Sequence, residues 1–227
     1  VSAEDFLELR AELAARFPKV QDQRGLQTTF EIVAGKSPGP AVPTPIVKDL
    51  GLQGYLLKTE DEKAVAQLRV DGFTFNRLYP YTSWEELFPV VIELWRRYSA
   101  VAKPQIITRL AVRYLNRIPF PSGNFDLLTY FPMSPVIPPE LPQQISGFLT
   151  RVTIYDSVQR IAANVAQALE STTGEPSRAV ILDIDAFKQD EYSVDDPAVL
   201  ETLNVLRSFK NRIFFNSITD ECLRQFE

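Results

Sequence analysis

Apolar residues recur along this chain at two periods, and the switches between them predict its elements. Phe6, Leu9, Leu13 and Phe17 stand at helical spacing, so a helix with one buried stripe is expected from Glu4 to Phe17. Ser2 and Asp5 precede it at capping-box distance and Pro18 stops it. Ser83-Trp84-Glu85-Glu86 reads as a second capping box. It opens a helix with the stripe Trp84, Leu87, Phe88, Val91, Trp95 and Tyr98, which Pro89 tightens or kinks. A third helix is expected after Ser193–Pro197, with Val199, Leu203, Leu206 and Phe209 as its stripe. Ser217-Ile218-Thr219-Asp220 caps a last short helix carrying Cys222, Leu223 and Phe226.

Between these helices the period drops to two, the signature of strands. Strands are expected at Leu26–Val33, Leu52–Lys58, Ala64–Val70, Phe73–Asn76, Ile106–Arg117, Phe148–Tyr155 and Arg178–Phe187. Val158–Leu169 fits either period and is read as a strand paired through Asp156-Ser157. Thr59–Lys63 forms a charged hairpin tip, and Asp71-Gly72 is a turn. In Ile106–Arg117 the even positions, from Ile106 to Asn116, are the core-facing set, which puts Arg109, Arg113 and Arg117 on the other face. Two proline-rich stretches interrupt the pattern. Ser37–Pro45 reads as a loop or extended arm, because proline cannot donate to a ladder. Pro119–Pro142 reads as a connector.

The order of elements predicts an α+β fold. Its sheet is largely antiparallel, amphipathic helices lie on one face, and a meander-plus-helix plan is repeated. The expected boundaries are a first half at 1–118, a connector at 119–143 and a second half at 144–227, or one continuous domain. The connector is unusually apolar for a loop: it carries Phe120, Phe125, Leu127, Leu128, Tyr130, Phe131, Met133, Val136 and Ile137. Either it folds over its own domain, or it reaches a second copy of the chain; the latter predicts a homodimer.

Composition narrows the chemistry. The 227 residues are 45% hydrophobic and 23% charged, the balance of a globular domain. A net charge of −5 argues against a non-specific polyanion binder. The chain has no histidine and one cysteine, Cys222. That excludes His-dependent triads and dyads, an internal disulfide, and a cysteine-based zinc site. Ser157 and Ser217 lack a Ser-x-x-Lys partner, and Cys222 is expected in a core. Asp190-Glu191 with Asp195-Asp196 lacks the alternation and central glycine of a calcium loop. No transition metal, no cofactor and no catalytic residue is expected. No apolar run reaches membrane-spanning length. The start Val-Ser-Ala-Glu-Asp resembles no signal peptide and has no initiator Met, which reads as a trimmed chain from the cytoplasm.

Two constellations carry candidate chemistry. Arg69, Arg77, Arg109, Arg113, Arg117 and Arg151, with Tyr114 and Asn116, form a candidate binding strip; Phe73, Tyr79 and Tyr81 offer stacking surfaces beside it. Asp183 and Asp185 share one face of a strand. They pair with Arg109 and Arg113 in a cross-strand ladder or, in the alternative, hold a magnesium ion.

Phe75-Asn76-Arg77-Leu78-Tyr79-Pro80-Tyr81, Trp84-Glu85-Glu86-Leu87-Phe88, Arg109-Leu110-Ala111-Val112-Arg113-Tyr114-Leu115-Asn116-Arg117-Ile118 and Phe214-Phe215-Asn216-Ser217-Ile218-Thr219-Asp220 together resemble a sporadically distributed family of uncharacterised bacterial proteins. The Arg-Tyr-Leu-Asn and Ser-Ile-Thr-Asp stretches are its more specific parts. The resemblance implies no activity and no catalytic residue. Its patchy distribution implies a defence, stress or mobile-element setting. The expectation is therefore a non-catalytic binding or regulatory module with a protein partner. The alternative is a protein acting on nucleotides or nucleic acid through the acidic pair or the arginine strip.

Overall fold

The structure, a computed structural model, describes residues 1–31, 44–80, 83–120, 126–170 and 178–226. It is an α+β protein with two four-stranded antiparallel sheets. Contacts divide the chain into two compact units, Val1–Pro104 and Gln105–Glu227.

The first unit opens with a 3-10 turn, Ala3–Phe6, that runs into α1 (Leu7–Leu13). The Ser2 N–H donates to the Asp5 carboxylate at 2.7 Å, half of the expected capping box. β1 (Lys19–Glu31), β2 (Thr44–Lys58), β3 (Ala64–Arg69) and β4 (Gly72–Arg77) follow as a meander, in the order β1-β2-β3-β4. α2 (Trp84–Ala102) closes the unit, with the Ser83 Oγ accepting from the Glu86 N–H at 3.1 Å. Alternation places Tyr55, Leu57, Ala66 and Leu68 on one sheet face, where they pack with Phe6, Leu9, Leu13, Phe17, Leu94 and Tyr98. Phe73 and Phe75 join the same face across the β3–β4 ladder.

Gly54 makes the β2–β3 approach possible. Its φ is +154°, and a Cβ there would lie 2.0 Å from the Leu68 carbonyl oxygen. Any side chain would collide with backbone that has no room to move.

Several expectations need correcting in this unit. β1 begins at Lys19, well before Leu26, because its first half pairs with the end of β2. Pro45, expected in a loop or extended arm, lies in β2 opposite Phe30, where β2 has no second neighbour; an edge tolerates the missing N–H. Residues 32–43, which hold most of the first proline-rich stretch, lie outside the described residues, as does Tyr81. In α2 the deepest positions are Leu94 and Tyr98. Trp84, Leu87, Phe88 and Val91 are only half-buried, so the expected stripe starts about two turns too early.

The second unit contains β5 (Ile107–Phe120), β6 (Leu149–Asp156), β7 (Ile161–Leu169), β8 (Arg178–Tyr192), α3 (Ala198–Asn216) and the short α4 (Asp220–Leu223). Its sheet order is β5-β8-β7-β6. β6, β7 and β8 are a meander followed by a helix, as in the first unit, but β5 lies beside β8 instead of beside β6. α3 packs across β8 and β5, burying Val112, Ile118, Leu182, Ile184, Leu206, Phe209 and Ile213. Because β5 belongs to this sheet, the break between units falls at Pro104/Gln105, ahead of β5 and not at residue 118.

The connector after β5 lies within the second unit, and part of it packs there. Phe131 is fully buried and Leu127 nearly so, whereas Leu128 and Val136 are exposed. The Thr219 N–H donates to the Tyr130 carbonyl at 3.0 Å and the Thr219 hydroxyl to the Thr129 carbonyl at 2.6 Å. Thr219 also caps α4, accepting from the Cys222 N–H. Residues 121–125, and Phe125 with them, lie outside the described residues. Cys222 is buried, as expected of a core residue, and burial pushes its thiol pKa up. Phe226, expected on the same short helix, lies in the 3-10 turn after it and is exposed.

Candidate functional site

The two sheets split the arginine strip. Arg69 and Arg77 belong to the first unit and fall on opposite faces of its sheet, since Arg69 is opposite Gly54 and Gly72 while Arg77 is opposite the buried Ala64. Arg69 is held by Asp71 through two 2.7 Å bonds, which raise its pKa further. The half-buried Phe73 ring packs at a tilt against Trp95 and Tyr98 at the core, and Tyr79 stands in solvent.

In the second unit, register brings Arg109, Arg113, Arg117 and Arg151 to one face. Across the sheet the rows read Ala111–Phe187–Ala162–Tyr155, then Arg113–Asp185–Asn164–Thr153, then Leu115–Asp183–Ala166–Arg151, then Arg117–Ile181–Ala168–Leu149. Tyr114 and Asn116 lie on the other face, toward α3. Asn116 donates to the Leu182 carbonyl at 3.2 Å, and the Tyr114 ring lies 3.5 Å beneath the Lys210 ammonium.

The acidic pair is closed by guanidinium groups. Arg113 reaches Asp183 with both arms, Nε to Oδ1 at 2.8 Å and Nη2 to Oδ2 at 2.6 Å; this hydrogen bonding raises the arginine pKa. Arg109 crosses the Phe187 ring at 4.9 Å and donates to Asp185 at 2.9 Å. Arg117 binds Glu170 at 2.7 Å. Each carboxylate therefore has a cationic neighbour, and no group of three metal-binding side chains occurs among the described residues. Arg151 differs: it is exposed, and no carboxylate among the described residues reaches it.

Three features escaped the sequence reading. Lys210 is 8% exposed on α3; burial, with Arg207 nearby, lowers its pKa to about 8. The one signal for it was its position four residues after Leu206, on the buried stripe. Gln167 is buried with neither amide atom hydrogen-bonded, and nothing in the alternation distinguished it from its apolar neighbours on β7. An open cleft of about 600 Å³ is lined by Gln159, Glu201, Asn204, Ser208, Phe209 and Arg212. Arg212 is held at its side by Asp156, 3.1 Å away. Backbone N–H groups of the following turn, that of Gln159 foremost, lower the Asp156 pKa.

The Arg-Tyr-Leu-Asn stretch thus fills places on both faces of β5: an ion pair, a cation–π seat, an exposed leucine and a carbonyl clamp. No family model, no curated protein and no solved structure matches the chain. No helix among the described residues is long and apolar enough to cross a membrane.

Proposed function

We propose that the chain is a non-catalytic binding or regulatory module that acts through protein contacts, in a bacterial defence, stress or mobile-element setting. The setting comes from the family resemblance, and the mode of action from the outward face of the second sheet. On that face Asp183 and Asp185 are neutralised by Arg113 and Arg109. Around them Ala162, Ala166 and Ala168 form a low centre flanked by exposed Leu115, Leu149 and Tyr155. Small residues in the middle and large apolar ones at the margin suit a packed side chain from a protein partner better than a hydrated phosphate.

The carrying observation is the pairing of both aspartates, which leaves this face without a free carboxylate pair for metal-assisted chemistry. The test is a set of titrations of the purified protein with single-stranded oligonucleotides and with nucleoside triphosphates in magnesium, followed by anisotropy and product analysis. The expected result is neither binding nor turnover at physiological salt. Turnover that disappears in Asp183→Asn and Asp185→Asn would establish the nucleotide-acting alternative instead.

A further inference from the structure

From the edge of the second sheet we infer that two copies of this chain join through β6, antiparallel and about a two-fold axis at Val152. This does not rest on the functional reading above, although Leu149 and Tyr155 border both the face of the sheet and its edge.

A free sheet edge is a row of unpaired backbone groups, and proteins shield such rows with charge, proline or brevity. The other three edge strands are shielded. β1 carries Lys19, Asp22 and Arg24; β4 is six residues long; β5 carries three arginines and Pro119. β6 reads Leu-Thr-Arg-Val-Thr-Ile-Tyr-Asp, with Arg151 its one charge ahead of the terminal Asp156, and no proline. It exposes apolar side chains on both faces, Leu149 at 74% and Tyr155 at 64% on one and Val152 at 42% on the other.

The ladder phase shows which groups are free. The Leu169 N–H donates to the Phe148 carbonyl, so Phe148 and the even residues after it point their backbone groups at β7. The odd residues Leu149, Arg151, Thr153 and Tyr155 therefore aim N–H and C=O outward. A second β6, turned about Val152, sets Leu149 opposite Tyr155 and Arg151 opposite Thr153. All the outward groups then find partners. The two most exposed apolar side chains of the strand cover each other, and Arg151 faces a hydroxyl rather than its own copy. On the other face Val152 meets Val152 and Thr150 meets Ile154. The register is self-complementary, which an isologous contact requires, and no like charges are opposed. That is the argument for a second copy over an unrelated extended peptide.

Sedimentation equilibrium of the full chain over a wide concentration range tests the assembly, together with two variants. Thr153→Pro removes an outward N–H and leaves the β7 ladder intact; a folded variant, checked by circular dichroism, is expected to dissociate about tenfold more readily or worse. Val152→Cys is expected to form an interchain disulfide on mild oxidation. The paired Cα atoms of a non-hydrogen-bonded site lie about 4.5 Å apart, within disulfide reach, and the native cysteine is buried. Leu149→Cys, opposite Tyr155, is expected not to cross-link. A monomer at every concentration overturns the inference. So does a dimer that folded Thr153→Pro leaves unchanged, or one cross-linked by Leu149→Cys and not by Val152→Cys.

Discussion

Arg113 grips Asp183 diagonally across the β5–β8 ladder, not the Asp185 that stands directly opposite it. Asp185 is taken by Arg109, which lies opposite Gln189 and reaches along the strand over Phe187. The ladder is staggered, so each long cation covers a carboxylate earlier on β8 than the residue opposite it. The aspartate side chains are only 22% exposed, whereas Arg113 remains 62% exposed.

This geometry sets the size of the first effect. Arg113 is well solvated, so a double-mutant cycle of Arg113→Ala with Asp183→Ala, read by urea denaturation, is expected to give a coupling of about 0.5–1 kcal/mol. Because both carboxylates are occupied, millimolar magnesium is expected to leave the wild-type melting temperature unchanged. A specific rise that vanishes in Asp183→Asn would contradict the pairing in solution.

Gly54→Ala places a methyl group on the Leu68 carbonyl. Backbone on both sides resists displacement, so a loss of about 3 kcal/mol or more is expected. Gly72→Ala is the control, since a Cβ there meets nothing, and it is expected to change stability by less than about 1 kcal/mol. Equal losses in the two variants would refute the steric account.

Lys210 makes stability depend on alkaline pH. Its pKa falls from 10.5 in the open chain to about 8 in the fold. Between those values the unfolded chain holds a proton that the folded chain has released, so stability rises with pH across that window and is level below it. Cys222 and Tyr98, whose pKa values burial raises above their ordinary 9.0 and 10.0, act in the opposite sense from those values upward. Urea midpoints at successive pH values are therefore expected to climb most clearly between pH 8 and 9 in the wild type. The climb is expected to disappear in Lys210→Met. The same slope in both proteins would assign the effect to other groups.

Thr219→Ala removes a helix cap and the clamp on the connector together. A loss of about 1–2 kcal/mol is expected, with faster amide exchange at Phe131 and Ser134, whose N–H groups bond within the connector. Thr219→Ser is expected to restore most of both. Unchanged exchange in the alanine variant would show that the connector is held by Phe131 alone.

The sequence by itself determined the class of fold and the face of nearly every strand. Alternation put Leu110, Val112, Tyr114 and Asn116 inward and Arg109, Arg113 and Arg117 outward, because a strand's side chains have no other choice. Helical spacing placed Phe6, Leu9, Leu13 and Leu206 in cores, and two prolines or a capping serine were enough to mark ends. What alternation leaves open is the neighbour. That β5 joins β8, so that the break between units falls before it, depended on pairings some seventy residues apart, as in Arg113 with Asp183. Local periodicity carries no trace of such a choice; it is made when the chain closes on itself. The same closure decided that Phe131 lies in its own core, that Lys210 sits over Tyr114, and that Gly54 admits no side chain. Each depends on what lies across from the residue in space, and that partner comes from a distant part of the chain.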